Sequence, residues 1–223
     1  MLDNPAWAAL TTRQESFALG DGRARRYPAE VAPFLAVADP GPEAAAAARA
    51  LVKPGESLHF VGVAPGDLQG WDVERTSTIA QMVFEGRATE IDGEDMTTLG
   101  AADVPEMLAL MAAVYPGYFR PRTRELGLYL GVRREERLVA MAGQRMGLDG
   151  YREISAVATL PEFRGRGYAG RLVGRLVREI RAEVLAPFLH VDTDNTAARA
   201  AYEKVGFAWR RDLTVVKVRR RDD

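Results

Sequence analysis

The stretch that most constrains this chain is Arg164-Gly165-Arg166-Gly167-Tyr168-Ala169-Gly170, with three glycines in seven residues. It follows a strand pattern over residues 152–159 and opens a helical pattern over 166–183, where Leu172, Leu176 and Ile180 share a face. A strand that feeds a helix through such a loop implies an α/β fold. The first N–H groups of that helix have no partner within it, and its dipole adds positive potential there. The loop is therefore either an anion cradle or a flexible turn.

The same letters spell G-x-G-x-x-G, the dinucleotide fingerprint. Three features argue against a nicotinamide or flavin site. Residues 160–163 separate the strand from the loop, whereas the fingerprint follows its strand directly. Too little chain follows Gly170 for the rest of a doubly wound sheet. Asp192, the one residue that would serve as the ribose acid, precedes a segment that reads as something else.

Composition narrows the classes further. At 223 residues, 47% hydrophobic and 27% charged, the chain is neither disordered nor fibrous. Zero cysteines exclude disulfides, thiolate zinc sites and a cysteine nucleophile, and two isolated histidines argue against a metal cluster. No apolar run is long enough to span a membrane, and the first ten residues do not read as a secretory signal, so a cytoplasmic location is expected. Charge is uneven. Residues 1–95 carry 8 basic and 15 acidic side chains, whereas residues 96–223 carry 22 and 16. A cationic half suits an anionic ligand. Its aromatics are not interleaved with the basic residues, which argues against nucleic acid. No G-x-S-x-G elbow and no G-x-x-x-x-G-K-[ST] loop is present.

The boundary between the halves is expected over residues 86–95, dividing the chain into units 1–95 and 96–223. The first unit suggests a hairpin at Asp21-Gly22, strands over 34–37, 58–63 and 76–84, and an alanine-rich helix over 43–52. From Met96 the pattern predicts the order β-α-β-β-β-α-β-α-β, with Asp103 as a helix cap and Gly206 as a helix stop.

The segment from Asn195 reads N-T-A-A-R-A-A-Y-E-K-V-G-F. Together with the glycine loop it resembles the GNAT superfamily of acyl-CoA-dependent N-acyltransferases. Arg164, Gly167 and Ala169 match that superfamily's R/Q-x-x-G-x-G/A loop. Asn195, Ala198, Tyr202, Gly206 and Phe207 match its N-x-x-A-x-x-x-Y-x-x-x-G-F element. The wider pattern, including residues 138–143, looks like the subgroup with glycine acyltransferase-like C-terminal domains. That resemblance implies a GNAT fold: a mixed, mostly antiparallel sheet flanked by helices, preceded by a degenerate GNAT-like N-terminal unit.

The resemblance also implies a site. Acetyl-CoA would be the cosubstrate, with no metal, and a primary amine the acceptor, with a homodimer among the expected assemblies and no nucleic-acid or membrane partner. The pantetheine arm would lie along Val157, Ala158 and Thr159. The pyrophosphate would meet Arg164, Gly165, Arg166, Gly167, Tyr168, Ala169 and Gly170. Asn195 would bond the pantetheine amides, cap the following helix, or both. Tyr202 would protonate the departing thiolate, or simply pack beside Phe207. Glu153 would be the general base, its pKa raised by apolar neighbours, or else a salt-bridge partner of Arg145 or Arg152. A rival reading is a catalytically silent acyl-CoA sensor, which would need neither Tyr202 nor Glu153.

Overall fold

The computed structural model describes residues 1–87 and 95–222. Most of the boundary expected over residues 86–95 lies outside the described residues. In chain order the elements are α1 (Pro5–Leu10), β1 (Ala24–Arg26), β2 (Leu35–Val37), α2 (Pro42–Ala50), β3 (Ser57–Val61) and β4 (Trp71–Phe84). They continue with β5 (Met96–Thr98), α3 (Val104–Val114), β6 (Tyr129–Arg134), β7 (Arg137–Leu148), β8 (Tyr151–Thr159), α4 (Tyr168–Ala182), β9 (Ala186–Asp192), α5 (Thr196–Val205) and β10 (Phe207–Arg220). From β5 onward the order is the expected one.

Eight strands form one sheet, ordered β3-β10-β4-β9-β8-β7-β6-β5. Every pairing in it is antiparallel except that of β8 with β9. Strand β4 lies between β10 and β9, so segments on both sides of the expected boundary share this sheet. Strands β1 and β2 make a separate two-stranded ribbon.

Side-chain alternation sorts the sheet into two faces. Ala80, Met82 and Phe84 of β4, with Leu189 and Val191 of β9, pack with the apolar stripe of α4 and with Met107, Leu110 and Met111 of α3. Phe188, Leu213, Val215, Met146 and Leu148 pack instead under α1 and residues 27–36. Both faces are thus covered, which is why β7 is buried along almost its whole length.

The structure departs from expectation in three places. The hairpin at Asp21-Gly22 shrinks to a single bridge, Leu19↔Arg26, because residues 15–17 coil into a 3₁₀ turn. Helix α1 lacked a sequence signal; Pro5 at its first turn and five buried residues of its six make it. Asp103 does not cap α3 with its side chain. Its carboxylate accepts from the Gly100 N–H at 2.7 Å and from Arg133 at 2.6 Å, closing the preceding turn. Gly206 does end α5, at φ +114°, and a Cβ there would come within 3.0 Å of Gly86 Cα. Among the described residues no helix is long and apolar enough to cross a membrane.

Candidate active site

Strands β8 and β9 pair from Tyr151↔Ala186 to Ile154↔Leu189 and then separate. The cause lies in β8. Its pairing with β7 runs from Gly143↔Ser155 to Met141↔Ala158, so two residues of β8 oppose one of β7. Ala156 takes φ +52° at this bulge. A bulge bends its strand, and a non-glycine residue in that region stores strain. The gap holds a cavity of about 220 Å³. Val191, Ala198 and Tyr202 line it from the helical face, and Phe34, Ile79 and Val215 from the other. The gap is therefore a passage through the sheet.

Tyr202 is delivered to this passage by α5, two turns after Asn195. It is 9% exposed, and burial pushes its pKa up to about 12. Among the described residues nothing hydrogen-bonds its hydroxyl. Asn195 also lines the cavity, and its Oδ1 accepts from the Ala198 N–H at 3.1 Å. It is thus the cap of α5, which leaves its amide N–H groups to donate elsewhere.

Glu153 alternates with Ile154 and points to the face covered by the N-terminal segment. It is fully buried. Arg145 grips it at two points, Nε to Oε2 at 2.8 Å and Nη2 to Oε1 at 2.6 Å. The Met146 N–H adds a third bond at 3.2 Å, and His190 Nδ1 lies 2.7 Å from Oε1. Burial alone would raise its pKa, but Arg145 and His190 hold it well below the usual carboxylate range. This corrects the expectation of a base raised by apolar neighbours: Glu153 is a committed counter-ion with little affinity for a proton. The partner is Arg145, whereas Arg152 donates to the Leu126 carbonyl at 3.3 Å.

The network continues past His190. Its Nε2 lies 3.0 Å from Gln81 Nε2, which also donates to the Leu2 carbonyl at 2.8 Å. Arg210 donates to Gln81 Oε1 at 2.7 Å. His190 thus faces the Glu153 carboxylate with Nδ1 and the Gln81 amide with Nε2. Both ring nitrogens are engaged.

A carboxylate at the cavity wall comes from β9. Asp192 is part-exposed, and the Tyr115 hydroxyl donates to its Oδ2 at 3.1 Å. Tyr115 stacks on Tyr118 at 5.4 Å, and Tyr118 packs on His59 at 4.7 Å and Phe34 at 6.3 Å. Burial and Asp192 both raise the Tyr115 pKa, keeping its proton in place to orient the carboxylate. The Arg145 guanidinium lies 4.7 Å from the centre of the Phe34 ring.

The expected site residues divide into three groups. Val157, Asn195 and Tyr202 meet at the cavity. Ala158 is buried in the helical-face core and Thr159 is half-buried, so this stretch offers mainly backbone. Residues 164–170 lie outside the cavity lining, past a 3₁₀ turn at Pro161–Phe163. There Gly165 and Gly167 take φ +78° and +79°, which favours glycine. No atom lies within 4 Å of a Cβ built on Gly165, Gly167 or Gly170. Gly167 begins α4 with no side-chain cap, so the first N–H groups of α4 face open space. Arg164 and Arg166 are exposed, and Arg166 packs 5.1 Å over Phe163. Tyr168 turns inward beneath Arg134, so only its backbone can reach a ligand at the loop. Sequence reasoning missed Phe34, Tyr118, Tyr129, Arg145 and His190 as cavity residues. Only the aromatic run around Tyr115 carried a signal.

This geometry has close counterparts. A family model described as FR47-like protein matches residues 129–216. An uncharacterized protein of Mycobacterium leprae is 32% identical over 152 residues, 61% of this chain; the match spans 42% of that relative's length. A GCN5-related N-acetyltransferase from Kribbella flavida shares the fold at TM-score 0.63 and 17% identity, over 98% of this chain and 96% of that one. A structure from Novosphingobium aromaticivorans, assigned to the GNAT family as an acetyltransferase, matches at TM-score 0.91 and 34% identity over 99% of both chains. With the split strands, the glycine turn and the α5 tyrosine in place, that full-length likeness shows that the chain belongs to the GNAT acyltransferase family.

Proposed function

We propose that this chain moves an acetyl group from acetyl-CoA to the primary amine of an acceptor by direct attack. The observation that carries the reading is the passage between β8 and β9, with a tyrosine hydroxyl free of hydrogen bonds on one wall and a carboxylate on another. The open glycine turn fits the pyrophosphate. The separated backbone of Val157, Ala158 and Thr159 fits the pantetheine arm, and the Asn195 amide can donate to it.

In this reading each residue has one task. Asp192, oriented by Tyr115, takes a proton from the incoming ammonium. The freed nitrogen lone pair forms a bond to the thioester carbon as the carbon–sulfur bond breaks. Tyr202 gives its proton to the departing sulfur, the new amide nitrogen sheds its remaining extra proton to solvent, and Tyr202 regains one from solvent. A positioned base of this kind is worth about 10²–10⁴-fold in rate. Glu153 holds Arg145 and His190 in place and moves no proton. Residues 1–95 supply one wall of the passage through Phe34, Val61, Arg75, Ser77 and Ile79.

The test is calorimetry with acetyl-CoA and desulfo-CoA, followed by thiol release over a panel of primary amines. Binding with turnover on at least one amine supports the reading. Binding with no turnover on any amine supports a silent acyl-CoA sensor instead.

A further inference from the structure

One buried polar group in the passage has no role in the proposed transfer. Tyr129 is 1% exposed and lines the cavity, yet its hydroxyl finds no partner among the described residues. A buried hydroxyl left unpaired is costly, so its persistence on a cavity wall points to a ligand atom that completes it. Burial raises the Tyr129 pKa well above the usual tyrosine value, and the Arg145 charge opposes that shift only in part. The hydroxyl therefore keeps its proton and acts as a donor.

Strand register fixes where that donor is aimed. Tyr129 of β6 pairs with Gly143 of β7, and Gly143 pairs with Ser155 of β8, so the three form one row across the sheet. The bulge that parts β8 from β9 begins at Ser155. Gly143 has no side chain, and the Tyr129 ring fills the space it leaves. A Cβ on Gly143 would come within 2.1 Å of Tyr129 Cδ1 and 2.2 Å of Cε1. The ring thus lies across β7 and directs its hydroxyl onward to the bulge, since neighbouring strands are only about 4.8 Å apart. Phe119 holds the ring edge-on at 5.6 Å. Ser155, Ala156 and Val157 of the bulge line the same cavity as Tyr129 and Tyr202. A fixed donor in a place closed to bulk water suits an oxygen on which negative charge develops.

We infer that the Tyr129 hydroxyl donates a hydrogen bond to the carbonyl oxygen of the bound acyl group, and stabilises the negative charge that builds on that oxygen as the amine attacks. With the pantetheine arm along Val157 and Tyr202 facing the sulfur, the acyl group lies at the bulge, where the Tyr129 hydroxyl is aimed. Tyr129 moves no proton; the one given to the sulfur comes from Tyr202. The inference rests on the proposed acetyl transfer and adds the residue that activates the thioester.

The experiment uses two analogues of acetyl-CoA that cannot transfer their acyl group. In the first, a methylene replaces the sulfur and leaves a ketone. In the second, the deoxy analogue, the ketone carbonyl is a methylene too, so the pair differs only at that carbon. Calorimetry measures both on the wild type and on Tyr129→Phe, which keeps the ring over Gly143 and removes one unpaired hydroxyl, so folding is preserved. The ketone is expected to lose about fivefold in affinity in the variant, while the deoxy analogue binds as before. On any primary amine that turns over, kcat should fall about 10²-fold, with a far smaller change in KM for acetyl-CoA. A residue that only packs would affect the two analogues equally. Equal effects on the two analogues, or an unchanged kcat, overturn the inference and leave acetyl transfer standing. If no amine turns over, acetyl transfer fails by itself; a loss confined to the ketone then still supports Tyr129 as donor to the acyl oxygen. If neither analogue binds the wild type, both are overturned.

Discussion

Arg145 and Glu153, eight residues apart across the β7–β8 turn, form a two-point ion pair in which the acid is fully buried. The pair is built by the fold as a whole. Register places both residues on the face that Tyr27, Phe34 and α1 cover, so neither charge can be hydrated freely. Breaking one side of such a pair leaves the other as an unpaired buried charge.

Glu153→Gln is therefore expected to destabilise the protein by about 3–5 kcal/mol, read from denaturant midpoints. The wild-type stabilisation has a defined pH window. The folded pKa lies below the unfolded value of about 4.3, so the contribution is complete above that value and is lost as pH falls through the folded pKa. The Gln variant should lack that acid-side loss. A variant as stable as wild type at neutral pH would show that the pair contributes nothing net.

His59 gives a separate acid response at higher pH. It is buried against Tyr118, its Nδ1 lies 3.3 Å from the Pro33 carbonyl, and burial lowers its pKa to about 4. Between its ordinary value near 6.5 and about 4, the unfolded chain binds more protons than the folded one, so stability is lost as the pH is lowered through this range. The total is on the order of 3 kcal/mol and levels off below about pH 4. His59→Gln should flatten the stability curve between pH 6.5 and 4. Persistence of the slope would assign it to another group.

The legible part of the sequence was the part governed by local rules. The glycine turn, the Asn195 cap, the Gly206 stop and the order β5 to β10 follow from periodicity and backbone preference, and they put Tyr202 and Asn195 in one cavity. The role of Glu153 was not legible, because it depends on what covers the far face of the sheet. Its immediate neighbours in sequence, Arg152 and Ile154, say nothing of Tyr27, His190 or Gln81. The walls formed by Phe34 and Tyr129 are equally remote in sequence. Strand β4 begins at Trp71 although the sequence suggests a strand only over 76–84: residues 72–75 are exposed and three of the four are charged, and pairing with β10 makes them a strand.

Gly167 should be sensitive to charge as well as shape. Gly167→Asp places a carboxylate at the start of α4, in the open space assigned to the pyrophosphate, and is expected to weaken acetyl-CoA binding by about tenfold or more. Gly167→Asn makes the same backbone demand without the charge and should cost less. Equal losses in calorimetry would assign the effect to the φ +79° backbone rather than to anion repulsion.

Tyr202→Phe keeps the ring that packs against Phe207 at 6.3 Å and removes only the hydroxyl. The fold should survive. The proposed proton transfer from Tyr202 belongs to the transition state, so kcat is expected to fall about 10²-fold or more while acetyl-CoA affinity stays near wild type. Unchanged kcat would mean that the thiolate leaves unassisted.

Asp192 and Glu153 are separated by their pH profiles. Asp192→Asn keeps the hydrogen-bonding shape beside Tyr115 but cannot take a proton. Its kcat/KM should fall about 10²-fold or more near neutral pH, where an ordinary primary amine is almost wholly protonated. The deficit should shrink as pH rises toward the amine's own pKa, because the nucleophile then arrives already neutral. Glu153→Gln, assayed over the temperatures where it remains folded, should keep the wild-type profile shape, since its carboxylate is turned away from the reaction and held ionised by Arg145. If the two variants exchange these behaviours, the base is the buried glutamate after all, and the ion pair must open during turnover.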